Sequence, residues 1–251
     1  MPTPSRLLPL KLIGVFMSYL NVASGNVVAS LPGEARAGFI RRTYGHVAAS
    51  LALLAILEWQ MLGLGLGPVA MQFLGGGMMN VLLYIGLFIG ASYVANNWAH
   101  SNKSKEMQYA GLGLFIFAEA IILLPAMYMA QNIAPNAIGN AAVTTAALVT
   151  GLTYICFTTR KDFSFLGPII TIGAFIAIGL AIAAVIFGFN LGLVFSFAIV
   201  GLAGAAILYN TSNIMREYGE DQHVAAALAL FASIALMFRF LLQIFMSFGD
   251  D

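Results

Sequence analysis

"AALALFASIALMFRFLLQIF" occupies residues 226–245 and carries one charge, Arg239, among almost exclusively apolar side chains. A helix needs ~20 mostly apolar residues to cross the hydrocarbon core of a bilayer. The stretch therefore reads as a membrane span, and the chain around it repeats the pattern. Of 251 residues, 61% are hydrophobic and 8% charged, whereas soluble domains carry about 25% charged residues. Mean hydropathy is +0.91, and the 26 glycines suit a polytopic helical membrane protein, where glycine is common. A net charge of +1 supplies no field for nucleic acid. One cysteine, Cys156, rules out an internal disulfide.

Apolar runs predict seven helices, at about 45–66, 78–99, 109–130, 137–158, 165–188, 190–209 and 223–247. "GLGLGP" (63–68) and "GGG" (75–77) break the first span from the second, and "QNIAPN" (131–136) the third from the fourth. A membrane barrel is excluded because its strands would alternate over ~10 residues. The fold class is an all-α membrane protein. Its partner by composition is the lipid bilayer.

Charge sets the expected topology. Arg6, Lys11, Arg36, Arg41 and Arg42 precede the first span. Lys103 and Lys105 follow the second, Arg160 and Lys161 the fourth, and Arg216 the sixth. The alternate connections carry no charge. The positive-inside rule then puts the N-terminus in the cytoplasm and the C-terminus outside. Residues 11–25 have a basic start and a short apolar core, as a signal peptide does. Cleavage would leave "RAGFIRR" outside, against the charge rule. The expected division is an N-terminal extension, 1–35, interfacial or partner-binding, and a membrane domain, 36–251.

Three strongly charged residues fall inside the spans: Glu58, Glu119 and Arg239. Such groups are costly in a membrane, face the bundle interior and pair. At 1.5 Å per residue, Arg239 and Glu58 lie about 24 and 20 Å from the inner ends of their spans, and Glu119 about 15 Å. The expectation is that Arg239 pairs with Glu58, leaving Glu119 as the protonatable group. The competing reading is that these residues only lock helices together, or that Glu58 and Arg239 reach outward to the interface. His46, Ser50 and Glu58 share one face of the first span by i+4 and i+8 steps. Asn140, Thr144 and Thr145 open the fourth span, and Asn210 to Asn213 end the sixth; hydrogen bonding and capping account for each alone. Pro125 is expected to kink the third span. No enzyme signature is present: "GLGLG" lacks a strand before it and a helix after it, and His46, His100 and His223 have no metal-ligand spacing. No catalysis, cofactor or metal is expected.

"FIRRTYGHVAASLALL" (39–54), "YAGLGLFIFAEAIILLP" (109–125), "TTRKDFSFLG" (158–167), "ILYNTSNI" (207–214) and the 226–245 stretch resemble the Bax inhibitor-1, or transmembrane Bax inhibitor motif, family over about 36–248. The resemblance implies a seven-helix bundle with the last helix central, wrapped by the other six. It also implies a kinship with pH-sensitive calcium leaks, whose gate is an aspartate pair on the sixth and seventh helices. Here those positions are Asn210 and Ser233, which do not titrate near neutral pH. A frequent family glutamate corresponds to Asn140, and "WAHSNK" (98–103) stands where bacterial leak proteins have an arginine. The bacterial YccA-like branch also carries serine at the Ser233 position, and that branch is tied to a membrane protease of quality control. Arg239 matches an arginine of animal members, whereas Glu58 and Glu119 match no family position.

Two functions follow from these residues. One is a non-enzymatic leak for calcium or protons in a bacterial inner membrane, with Glu58, Glu119 and Arg239 as its pathway and Asn140, Thr145 and His46 as weaker candidates. The other is a regulator or accessory subunit of a membrane complex, a quality-control protease or an energy-converting assembly, docked through the N-terminal extension.

Overall fold

The computed structural model describes residues 27–101, 104–159 and 161–249. Seven helices among them are long and apolar enough to cross a membrane: α1 (Gly33–Gly63), α3 (Met78–Ala99), α4 (Lys105–Ile133), α5 (Pro135–Thr159), α6 (Leu166–Phe187), α7 (Gly192–Arg216) and α8 (His223–Phe248). A shorter helix, α2 (Leu66–Gly75), joins α1 to α3. With no water in the bilayer core, the backbone must satisfy itself, and helices do this within each segment.

α8 is the core of the bundle. Fifteen of its 26 residues are buried, including Val224 to Leu228 in unbroken order. Five helices pack on it: α1, α3, α4, α5 and α7. The expectation of six is corrected by α6, which has no buried residue and packs only on α7 and α3. Its sequence is apolar on all sides, so lipid serves it as well as protein does. In a membrane, association rests on close packing rather than on the hydrophobic effect, and small residues permit it. Ala95 and Ala99 of α3 lie buried against Gly111 of α4 on this principle. Phe115 of α4 meets Phe231 of α8 edge to face, centroids 6.0 Å apart.

Several helix ends depart from the sequence reading. α1 begins at Gly33 rather than 45, running about 18 Å further toward the N-terminus, because nothing from Glu34 to Gly45 breaks a helix. α4 begins at Lys105 because Ser104 caps it, its hydroxyl accepting from the Met107 amide at 3.2 Å. α7 continues to Arg216, so Asn210–Asn213 lie within it rather than capping it. α2 replaces an expected loop. Its proline, Pro68, sits in the first turn, where a missing N–H costs no helical bond. Gly65 (φ 73°) and Gly77 (φ 116°) supply the left-handed turns around it.

Of the expected N-terminal extension, residues 1–26 lie outside the described residues. Val28 is fully buried; its amide donates to the Tyr218 carbonyl at 2.9 Å, seating this segment on the α7–α8 connection. At the same end, Lys105 pairs with Asp221 at 3.5 Å and Arg216 with Asp162 at 3.6 Å.

Candidate functional site

Two polar layers cross α8. The first joins Asn210 of α7 to Ser233 of α8. The Asn210 amide donates to Ser233 Oγ at 2.9 Å and to the Ala229 carbonyl at 3.1 Å. The Ser233 hydroxyl donates to the same carbonyl at 3.0 Å. The two positions identified from the sequence as gate equivalents therefore do meet. They meet as a neutral, hydrogen-bonded cluster whose bonds need no proton exchange.

The second layer lies six residues further along α8, about 9 Å, and brings together residues from four helices. Glu58 (α1) and Glu119 (α4) are 2% and 5% exposed. Arg239 is half-buried. Glu119 lies within the electrostatic reach of Arg239, Glu58 within that of Glu119, and Tyr84 (α3) within that of all three. Counting from the start of α4 keeps Glu119 nearer the middle than Arg239 and narrows the gap between them. Counted from Lys105, Glu119 is about 21 Å along its helix and Arg239 about 24 Å from His223.

The expected Arg239–Glu58 pair is absent. Among the described residues Arg239 stands in no ion pair, and the carboxylate it acts on electrostatically is Glu119. Both Glu58 oxygens are buried without a hydrogen-bond partner. A buried carboxylate without partners opposes folding. Natural chains retain such conflicts mainly at functional sites.

Tyr84 escaped the sequence reading. Its hydroxyl donates to the Ile121 carbonyl of α4. A polar ring in an apolar run gives no signal alone, and only α3–α4 packing brings it to Glu119. Pro125, read as a kink, is the one clue the sequence held.

The weaker candidates lie apart. His46 donates from Nδ1 to the Arg42 carbonyl at 2.7 Å, because a carbonyl can only accept, and its Nε2 meets the Tyr109 hydroxyl at 3.1 Å. Its ring lies tilted against that of His223, centroids 5.1 Å apart. Along α1 it is about 18 Å from Glu58. Ser50, between them, is spent on the His46 carbonyl at 2.7 Å. Asn140 is exposed and lines an open cleft of about 310 Å³ with Pro135, Phe245 and Phe248. Thr145 is buried, its hydroxyl without a partner. Outside the spans, Asp162 is held below its ordinary value of 3.8 by the Ser164 amide, with Arg216 adding to the effect. No group of three or more histidine, cysteine or acidic residues among the described ones could hold a metal.

Seven long apolar helices around a buried final helix, with two carboxylates and an arginine in the interior, define a polytopic membrane protein with a charged core. The chain belongs to the Bax inhibitor family: the model of that family, described as inhibitor of apoptosis-promoting Bax1, matches residues 36–250. It is similar to the uncharacterized protein PA2604 of Pseudomonas aeruginosa, 31% identical over 216 residues, covering 85% of this chain and 91% of the relative. It is also similar to Protein LIFEGUARD 4 of Arabidopsis thaliana, 30% identical over 221 residues, 84% of this chain and 85% of the relative. An uncharacterized Neisseria meningitidis protein is 29% identical over 181 residues, 70% and 78% of the two chains.

Proposed function

We propose that the protein is a non-enzymatic, leak-type pathway for calcium or protons in a bacterial inner membrane, of the YccA-like kind, with its N-terminus in the cytoplasm. The observation that carries this reading is the buried cluster of Glu58, Glu119 and Arg239, two acids against one base, with both Glu58 oxygens unpartnered. A bundle built only for packing gains nothing from it, since apolar residues of similar volume fold at least as well. Ionisable residues inside membranes mark ion and proton paths. Asn210 and Ser233 form the neutral counterpart of an acidic gate, so pH sensitivity resides in the Glu58–Glu119 layer.

Purified protein in calcium-loaded liposomes tests the proposal. pH-dependent efflux that Glu119→Gln abolishes supports it, and efflux equal to empty liposomes at every pH refutes it. A second reading, a regulator of a membrane complex without transport activity, is favoured by the neutral Asn210–Ser233 cluster. In it, residues 1–35 are a docking extension to the membrane domain at 36–251. Absence of flux, together with a partner that co-purifies in mild detergent and is lost on deleting residues 1–26, would select it.

A further inference from the structure

Pro125 has no N–H, so it cannot make the helical bond to the carbonyl four residues earlier. That carbonyl belongs to Ile121, two residues beyond Glu119. It is the acceptor of the Tyr84 hydroxyl, which reaches it from α3. An unsatisfied carbonyl at membrane depth costs several kcal/mol, and Tyr84 answers a vacancy that Pro125 creates.

We infer that Tyr84 is the positioning residue of the Glu58–Glu119–Arg239 cluster: by holding the Ile121 carbonyl freed by Pro125, it sets where α4, continuous through that proline, presents Glu119. The inference rests on the leak reading and deepens it. The charged groups that face Tyr84 are Glu58 from α1, Glu119 from α4 and Arg239 from α8. The other helices packed on α3 and α4, namely α2, α5 and α6, carry no charged residue. With the phenol bound to α4, the turn before Pro125 has one arrangement. With it released, the turn carrying Glu119 can shift relative to Arg239, and the response of the cluster to pH shifts with it.

Tyr84 and Pro125 must then be coupled through one carbonyl, and a double-mutant cycle measures this. Tyr84→Phe keeps the ring and removes only the donor. It should lower the thermal midpoint in detergent by about 2–4 °C and move the pH midpoint of liposome efflux by about half a unit or more. In Pro125→Ala the alanine N–H takes the Ile121 carbonyl. Tyr84→Phe should then cost less than half as much in that background. Additive effects of the two substitutions overturn the inference. If the double variant does not fold, amide exchange of Tyr84→Phe alone decides. Exchange confined to the turn around Ile121–Pro125 should rise about fivefold, and no local rise overturns the inference. An unmoved pH midpoint in Tyr84→Phe, with wild-type flux intact, overturns it alone. A wild type without pH-dependent flux overturns the leak reading and the positioning role together.

Discussion

At Gly111, α4 comes close to the backbone of α3. A Cβ at this position would lie 2.5 Å from the Ala95 carbonyl oxygen, 2.6 Å from the Ala99 amide nitrogen and 3.0 Å from Trp98 Cβ. Ordinary contact between non-bonded heavy atoms begins near 3.5 Å, so Gly111→Ala forces the two helices about 1 Å apart. Two of the three opposing atoms are backbone and cannot rotate away. Overpacking of this kind costs about 1–3 kcal/mol, and the rigid neighbours put the cost at the upper end, about 3. Alanine recovers about 1 kcal/mol of helix propensity, leaving a net loss of about 2 kcal/mol. For a chain of this length that corresponds to about 4–8 °C in thermal midpoint. Gly113, two residues on, has nothing within 4 Å of its added Cβ. Gly113→Ala should therefore leave the midpoint unchanged or raise it by up to about 4 °C. Cys156 is fully buried and is the one cysteine of the chain. A thiol-reactive fluorophore thus reports unfolding in detergent for both variants. A Gly111→Ala midpoint equal to that of Gly113→Ala would refute the packing argument.

Three further outcomes are expected. Asn210→Ala removes the donors to Ser233 and Ala229 and should cost about 1–2 kcal/mol, read by denaturation in mixed micelles. A cost below a few tenths would show that the α7–α8 polar layer is dispensable. Glu58→Met removes two buried oxygens without partners, so it should raise the thermal midpoint while damaging efflux; a lowered midpoint would mean that the carboxylate stabilises the fold. Asp162 titrates below its ordinary value, so its contribution is present above pH 3.8 and lost as pH falls through the lowered value. Asp162→Asn should then be slightly less stable at pH 7 and become indistinguishable from wild type once the pH falls below the lowered value, and a difference that grows on acidification would contradict the assignment.

The membrane class, the seven spans and the gate-equivalent positions Asn210 and Ser233 were legible before the structure. The first two follow from composition and run length, which the bilayer thickness converts directly into helices. The third came through the resemblance, since two side chains on different helices share no sequence period. Helix ends were less legible. The stretch from Glu34 to Gly45 is polar enough to look like a leader to a span, yet it contains no breaker and continues α1.

What the sequence by itself determined is that Glu58, Glu119 and Arg239 fall within membrane spans, where a charged group faces the bundle interior or reaches to the interface. Which of them face each other was decided by tertiary packing. The register between α1, α4 and α8 depends on where each helix begins, and an error of one turn in α4 moves Glu119 by about 5 Å. The structure forms no Arg239–Glu58 ion pair among the described residues, and it adds Tyr84. A hydroxyl that seeks the carbonyl left free by a proline on another helix is invisible along the chain, because the vacancy and the donor are 37 residues apart.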